Sequence, residues 1–192
     1  MTLRTATGDD LAEIMKLERA TFPTDAWSEP MLRDEIASPH GRYVVDVEAG
    51  RLLGYGGVRS VEGAPDSDIQ TIAIAAEARG RGRGRALLRE LLATAYRRGA
   101  IGVFLEVRDD NPRATSLYAS EGFGVIGRRP RYYQPDDVDA IVMKIDLRGW
   151  AAERGVPADT GVGPIGSETD AAGPAASDTA PTTDTATEKG WC

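Results

Sequence analysis

The stretch from Ser67 to Gly99 constrains this chain most. An apolar run, "SDIQTIAIAAE", enters a turn in which Gly80, Gly82 and Gly84 alternate with Arg79, Arg81, Arg83 and Arg85. A helical pattern leaves it, with Leu87, Leu88, Leu91, Leu92 and Ala95 on one stripe and Gly99 as its stop. Strand, glycine turn and amphipathic helix together predict a phosphate site. Glycine lets the backbone approach a ligand, and the first amides of a helix lack internal partners and favour an anion.

The surroundings exclude other readings of the same arginines. A basic RNA-binding arm belongs to a low-complexity, basic context, whereas this chain carries a net charge of -7 and the turn runs into a core-facing helix. A P-loop requires GxxxxGK[ST], but Gly84 is followed by Arg85 and Ala86. The three glycines also miss the GxGxxG spacing of a dinucleotide fold.

The 192 residues suffice for one domain with a substantial core. No apolar run approaches the ~20 residues that span a bilayer. The N-terminus, "MTLRTATGDDLAEIM", lacks the apolar segment of a signal peptide. The single cysteine, Cys192, leaves no internal disulfide and no zinc cluster to expect. These features predict a cytoplasmic protein without a metal. Composition shifts near Trp150: "AAERGVPADTGVGPIGSETDAAGPAASDTAPTTDTATEKGWC" has almost no large apolar residues. Such a segment cannot bury enough surface to offset its ordering entropy, so a domain at 1–149 and a disordered acidic tail at 150–192 are expected.

Within 1–149 the patterns alternate. "LRTA" reads as a strand, followed by helices at "TGDDLAEIMKLERATF" and "WSEPMLRDEIAS", the second capped by Ser28 with Pro30 in its first turn. "GRYVVDVEAGRLLGYGGVRSV" reads as a hairpin, and "AIGVFLEVR" as a strand buried on both faces. "NPRATSLYASEG" predicts a short helix capped by Asn111, with Pro112 at its first position and Gly122 at its end. "FGVIGRRPRYY" and "DAIVMKIDL" supply two last strands. The order β-α-α-β-β-β-α-β-α-β-β implies an α/β fold, a mixed sheet with helices on both faces.

Two segments carry a family resemblance. Arg79-x-x-Gly82-x-Gly84 resembles the Q/R-x-x-G-x-G/A signature of the GNAT acetyltransferases, which bind the pyrophosphate of acetyl-CoA. "LEVRDDNPRATSLYASEGF" resembles the E-V-R-x-x-N-x-x-A-x-x-L-Y-x-x-x-G-F segment of the RimI branch, with Glu106, Val107, Arg108, Asn111, Ala114, Leu117, Tyr118, Gly122 and Phe123 in register. "FPTDAWSEPML" and "RRPRYYQPDDVDAIVMKI" are similar to that branch's F-P-x-x-W-S loop and R-x-x-Y-Y…D-A-x-x-M ending. The resemblance spans about Leu3 to Leu147. It implies the GNAT fold with a mostly antiparallel sheet, and acetyl transfer to the N-terminal alanine of a small-subunit ribosomal protein.

The resemblance also implies roles. Glu106 would be the base, through water, and poor hydration on a buried strand suits it to that task. Tyr118 would be the acid that protonates the departing thiolate. Asn111 would both cap its helix and contact the cofactor. Ile72, Ala73 and Ile74 would offer strand amides to the acetyl and pantetheine groups. Residues Arg79, Gly80, Arg81, Gly82, Arg83, Gly84 and Arg85 would hold the pyrophosphate by backbone, with arginine side chains adding charge. Trp27, Tyr132 and Tyr133 would wall the peptide channel, or simply close the sheet end. Asp25, Asp34, Glu35, Asp136, Asp137 and Asp139 would attract a basic peptide if they surround one mouth.

Plainer readings stand beside these. Glu106 pairs with Arg108 or Arg113 in one, and Tyr118 is a core tyrosine in another. At the level of the whole chain, a GNAT acting on small amines or lysines, or a non-catalytic acetyl-CoA-binding module, competes with the N-terminal acetyltransferase. A monomer is expected, with no contact to nucleic acid or membrane.

Overall fold

In the computed structural model, which describes residues 1–158, β1 (Thr2–Thr5) leads through a single 3-10 turn into α1 (Leu11–Thr21) and α2 (Glu29–Ala37). Three strands follow, β2 (Gly41–Glu48), β3 (Arg51–Arg59) and β4 (Asp66–Ile74). Then come α3 (Arg83–Arg97), β5 (Gly102–Arg108), α4 (Pro112–Glu121), β6 (Gly124–Tyr133), β7 (Val138–Asp146) and α5 (Leu147–Arg154). The strands form one sheet in the order β1-β2-β3-β4-β5-β7-β6. Only β4 and β5 are parallel neighbours.

Local chemistry explains the element ends. Asp10 receives two hydrogen bonds from Arg4, at 2.7 and 2.6 Å, just before α1. That guanidinium holds the Asp10 pKa down at about 2. Ser28 caps α2 by accepting from the Met31 amide. Asn111 caps α4 through the Ala114 amide at 3.1 Å, Pro112 opens it, and Gly122 closes it at φ 105°. The β2–β3 hairpin turns on Ala49 and Gly50, both at positive φ, as a two-residue loop compatible with strand twist requires.

The sheet separates two cores. On one face, Leu87, Leu88, Leu91 and Leu92 of α3, Tyr118 of α4 and Leu147 and Trp150 of α5 pack on Val58, Ile69, Val103, Leu105, Val107 and Met143. On the other, Leu11, Ile14 and Met15 of α1 and Leu32 of α2 pack with Trp27 on Tyr43, Val45, Tyr55 and Ala73. Gln70 is a bulge residue: Gly57 lies opposite Thr71 and Val58 opposite Ile69. The bulge inverts the alternation along β4, so Ile72 and Ile74 pack toward the same core as Ile69.

One boundary requires correction. The end of the domain expected at residue 149 falls inside α5, and Trp150 and Ala151 are buried. Asp146 caps that helix by accepting from the Arg148 amide at 2.8 Å. Its buried stripe is Leu147, Trp150 and Ala151, three residues that straddle the end of a strand pattern and the start of the Ala-rich segment. Residues 159–192, where the rest of the acidic tail was expected, lie outside the described residues. Among the described residues, no helix is long and apolar enough to cross a membrane, and no His, Cys, Asp and Glu cluster is arranged to hold a metal.

Candidate active site

The central parallel pair is short. β4 and β5 are paired only where Asp66, Ser67 and Asp68 face Gly102, Val103 and Phe104. Beyond that point they part, so β4 keeps only β3 as its neighbour and β5 only β7. The inner edges therefore present strand amides and carbonyls to a slot. A cavity of about 690 Å³ lies along it. Ile72 and Ile74 of β4, Thr21 at the end of α1 and Phe22 just after it, and Asn111, Arg113, Ala114, Leu117 and Tyr118 form its walls.

The glycine turn closes one end of this cavity, which Arg79, Gly80, Gly82, Arg83, Gly84 and Arg85 line. Gly80 and Gly82 have φ of 80° and 78°, where a side chain is strained. Gly82 is the N-cap of α3, and its carbonyl accepts the first helical bond from the Ala86 amide at 3.0 Å. The amides of the residues between lack helical acceptors and form the positive end of a 15-residue helix. An apolar slot ending in free amides fits a ligand with an extended arm and a phosphate.

The arginine side chains behave differently from one another. The backbone of Arg83 lies in the turn, but its guanidinium is buried against Asp46 at 2.7 Å and Glu48 at 2.7 Å. It is a structural ion pair rather than a source of charge for a phosphate. Arg85 reaches Ser120 at 2.9 Å and the buried Glu121 at 3.1 Å, tying α3 to α4. Arg79 donates to the Ile74 carbonyl at 3.0 Å and so braces the turn. Arg81 is exposed and does not line the cavity. Arg113, at the wall, was not singled out as a ligand from the sequence; its place in the first turn of α4, two residues past Asn111, is the signal that points to it.

Glu106 and Tyr118 lie on opposite faces of the sheet, and of the two Tyr118 lines the cavity while Glu106 does not. Val103, Leu105 and Val107 belong to the α3 core, so alternation puts Glu106 on the α1–α2 face. Tyr118 belongs to the α3 core and lines the cavity. Burial pushes the Tyr118 pKa up to about 12, so the phenol keeps its proton. Its ring lies 5.8 Å from that of Phe123. Glu106 is 11% exposed and pairs with Arg129 Nε of β6 at 3.0 Å, in place of the Arg108 or Arg113 partner considered from sequence. Its Oε2 is buried and has no hydrogen-bond partner. Asp68, on the facing strand, is pushed above the ordinary carboxylate range by partial burial and then by the Glu106 charge.

Arg108 joins the two loops at the acceptor side. It pairs with Asp110 at 3.0 Å and with Asp136 of the β6–β7 loop at 3.1 Å, lies 3.8 Å from Asp25 of the α1–α2 loop, and stacks over Tyr133. Thr24 donates to Asp136 at 3.2 Å across the same junction. Arg128 pairs with Asp109 at 2.6 Å and Asp139 at 3.3 Å. Of the acidic residues considered from sequence, Asp25, Asp136 and Asp139 thus each lie against an arginine of the chain itself. Tyr132 and Tyr133 meet edge to face at 5.2 Å, with Tyr133 buried and Tyr132 half-buried. Trp27 lies in the second core rather than on the cavity wall, and its amide donates to the buried Glu18 at 2.9 Å. Ala73 also packs into that core and does not line the cavity.

This geometry agrees with comparisons to known proteins. The acetyltransferase (GNAT) family matches residues 11–123. The chain is 40% identical over 149 residues to the N-alpha-acetyltransferase RimI of Mycobacterium tuberculosis, covering 76% of this chain and 92% of that one. It is 31% identical over 140 residues to a Bacillus subtilis protein provisionally named a ribosomal protein bS18-alanine N-acetyltransferase, covering 72% and 91%. The crystal structure of the Escherichia coli ribosomal-protein-S18-alanine N-acetyltransferase superposes with a TM-score of 0.69 at 26% identity, over 76% of this chain and 93% of that one.

Proposed function

The chain belongs to the GNAT acetyltransferase family, and on that premise we propose that it acetylates the N-terminal α-amine of a protein, with the alanine of a small-subunit ribosomal protein as its acceptor. The observation that carries this reading is a cavity walled by Tyr118 and closed by the free amides of α3, between β4 and the strand β5 that bears Glu106. The relatives named for ribosomal-protein alanine acetylation support the acceptor.

Acetyl-CoA, when bound, supplies an acetyl group activated as a thioester. The amides from Gly80 to Arg85 bind its pyrophosphate, the free edge of β4 at Ile72 to Ile74 orients its arm, and Asn111 adds a polar contact. Glu106 takes a proton from the acceptor amine, directly or through one water. That demand is modest, because an α-amine with a pKa near ~7.8 is about one-tenth neutral at pH 7, whereas a lysine near ~10.4 is almost wholly charged. Tyr118 holds a proton at its phenolic oxygen for the leaving sulfur. Tyr132 and Tyr133, braced by Arg129 and Arg108, border the acceptor route. A monomer acting in the cytoplasm, where ribosomal proteins are made, completes the reading.

The test is CoA release with two matched basic peptides, one beginning with a free alanine and one blocked at its N-terminus with an internal lysine. Turnover of the first alone is expected. Turnover of the second, or of neither, would move the activity to another amine.

A further inference from the structure

Glu106 is not free to meet an acceptor. Arg129 Nε holds its Oε1 at 3.0 Å, while Oε2 is buried without a hydrogen-bond partner. The Arg129 guanidinium also lies 5.4 Å from the Tyr132 ring centroid, so it spans the base and one acceptor-side aromatic. Its strand suits movement. β6 is an edge strand, exposed from Gly124 to Arg131, and its register with β7 breaks between Arg129 and Tyr133. Arg131 within that break has φ 52°. Arg129 itself is half-exposed, so it can swing into water at small cost, whereas the Glu106 side chain is only 11% exposed.

A second charge sharpens the point. Asp68, paired opposite Phe104 on the neighbouring strand, lies near enough to Glu106 to feel its charge. Two carboxylates with one arginine make a place where a cation is favoured and the resident cation is tethered. An acceptor arrives as an ammonium, a cation of the same sign and similar hydrogen-bonding capacity.

We propose that Arg129 is a specificity-determining residue: a built-in cation that occupies Glu106 in the free enzyme and that the acceptor's terminal ammonium must replace. The inference rests on the reading of Glu106 as the base. The exchange balances: the ammonium takes the carboxylate, passes one proton to it and becomes the neutral amine, while Arg129 stays protonated in solvent. When the proton leaves Glu106 for solvent, the restored carboxylate recaptures Arg129. Acceptors whose terminal nitrogen is permanently uncharged gain nothing from the exchange and are disfavoured.

The experiment compares Arg129→Gln, Arg129→Lys, Glu106→Gln and the Glu106→Gln/Arg129→Gln double variant with the parent chain. KM for the alanine-first peptide and for acetyl-CoA would be measured, together with calorimetric binding of that peptide to the CoA complex, which cannot transfer. Arg129→Gln is expected to lower the peptide KM and dissociation constant about two- to fivefold, the scale of a half-exposed ion pair, with the acetyl-CoA KM unchanged. Arg129→Lys should restore parental values, and in the Glu106→Gln background the substitution at 129 should have no effect on peptide binding. A higher peptide KM in Arg129→Gln would make Arg129 a peptide ligand, an unchanged one would make it a bystander, and either overturns the proposal. The base assignment fails separately, if Glu106→Gln keeps the parental kcat.

Discussion

Arg83 in the first turn of α3 donates to Asp46 of β2 at 2.7 Å, and neither side chain is more than 5% exposed. A second guanidinium nitrogen reaches Glu48, which also receives the N-terminal ammonium at 3.1 Å. The pair pins the glycine turn to the strand beneath it. It therefore sets where the free amides stand relative to the slot, so an arginine that looks like a phosphate ligand works instead by holding the phosphate-binding backbone.

Asp46→Asn keeps the shape of that contact and removes its charge, leaving Arg83 with the half-exposed Glu48 alone. A melting temperature lower by roughly 5 °C or more is expected from breaking a buried pair. The KM for acetyl-CoA should rise about three- to tenfold, with the peptide KM near its parental value. A rise confined to the peptide KM would show that the pair does not position the turn.

Gly82 and Gly84 should respond oppositely to alanine. Nothing lies within 4 Å of a Cβ built on Gly82, so the penalty there is its φ of 78°, about 1–2 kcal/mol in the left-handed region. Gly84 has an ordinary helical backbone, and its Cβ would meet Leu117 at 3.5 Å, a normal contact. Gly82→Ala should destabilise the fold and weaken acetyl-CoA binding about tenfold. Gly84→Ala should be neutral or more stable by about 0.5–1 kcal/mol, as alanine is in a helix. Urea denaturation and acetyl-CoA titration of the two variants check both.

What could be read from sequence was local. The strand, glycine turn and helix around Gly82 lie within one continuous segment, as do Asn111, Pro112 and Gly122, which delimit α4 from either end. Their positions follow from dihedral preference and capping, which act over a few residues. The partners that correct the reading are distant along the chain. Arg83 finds Asp46 37 residues away, and Tyr55 reaches Glu18 across another 37. Arg129 meets Glu106 only because β6 and β5 both flank β7. Such pairs depend on sheet order, which no motif in this chain spells out. Helix α5 escaped for a different reason: Leu147 reads as the end of the preceding strand pattern, and Ala151 already opens the Ala- and Gly-rich segment.

Glu18 makes stability depend on pH in a defined direction. It is wholly buried, and burial raises its pKa above the ordinary carboxylate range against the opposing pull of the Tyr55 hydroxyl and the Trp27 amide. A carboxyl with a raised folded-state pKa contributes fully below its unfolded value, near ~4.3, and loses that contribution as pH rises through the folded value. Glu18→Gln cannot ionise. Its stability relative to the parent should therefore increase from about pH 4 upward and level off once pH has passed the folded-state value, as denaturation midpoints would record. Parallel stability curves for the two proteins would mean that Glu18 titrates normally despite its burial.

Tyr118 tests the acid side of the chemistry. Burial pushes its pKa up to about 12, so deprotonation cannot remove this donor anywhere near neutral pH. Phe fills the same space in the core beside Phe123 and takes away only the hydroxyl. Tyr118→Phe should lower kcat by about a hundredfold or more, the usual scale for a positioned proton donor, with both KM values within about twofold and thermal stability unchanged. In the parent enzyme, Tyr118 should cause no alkaline fall of kcat between pH 7 and about pH 10, because the phenol is still protonated throughout. An alkaline fall in that window that Tyr118→Phe abolished would contradict the buried, proton-holding phenol. A variant with parental kcat would assign the proton on the leaving sulfur to water or to another group at the slot.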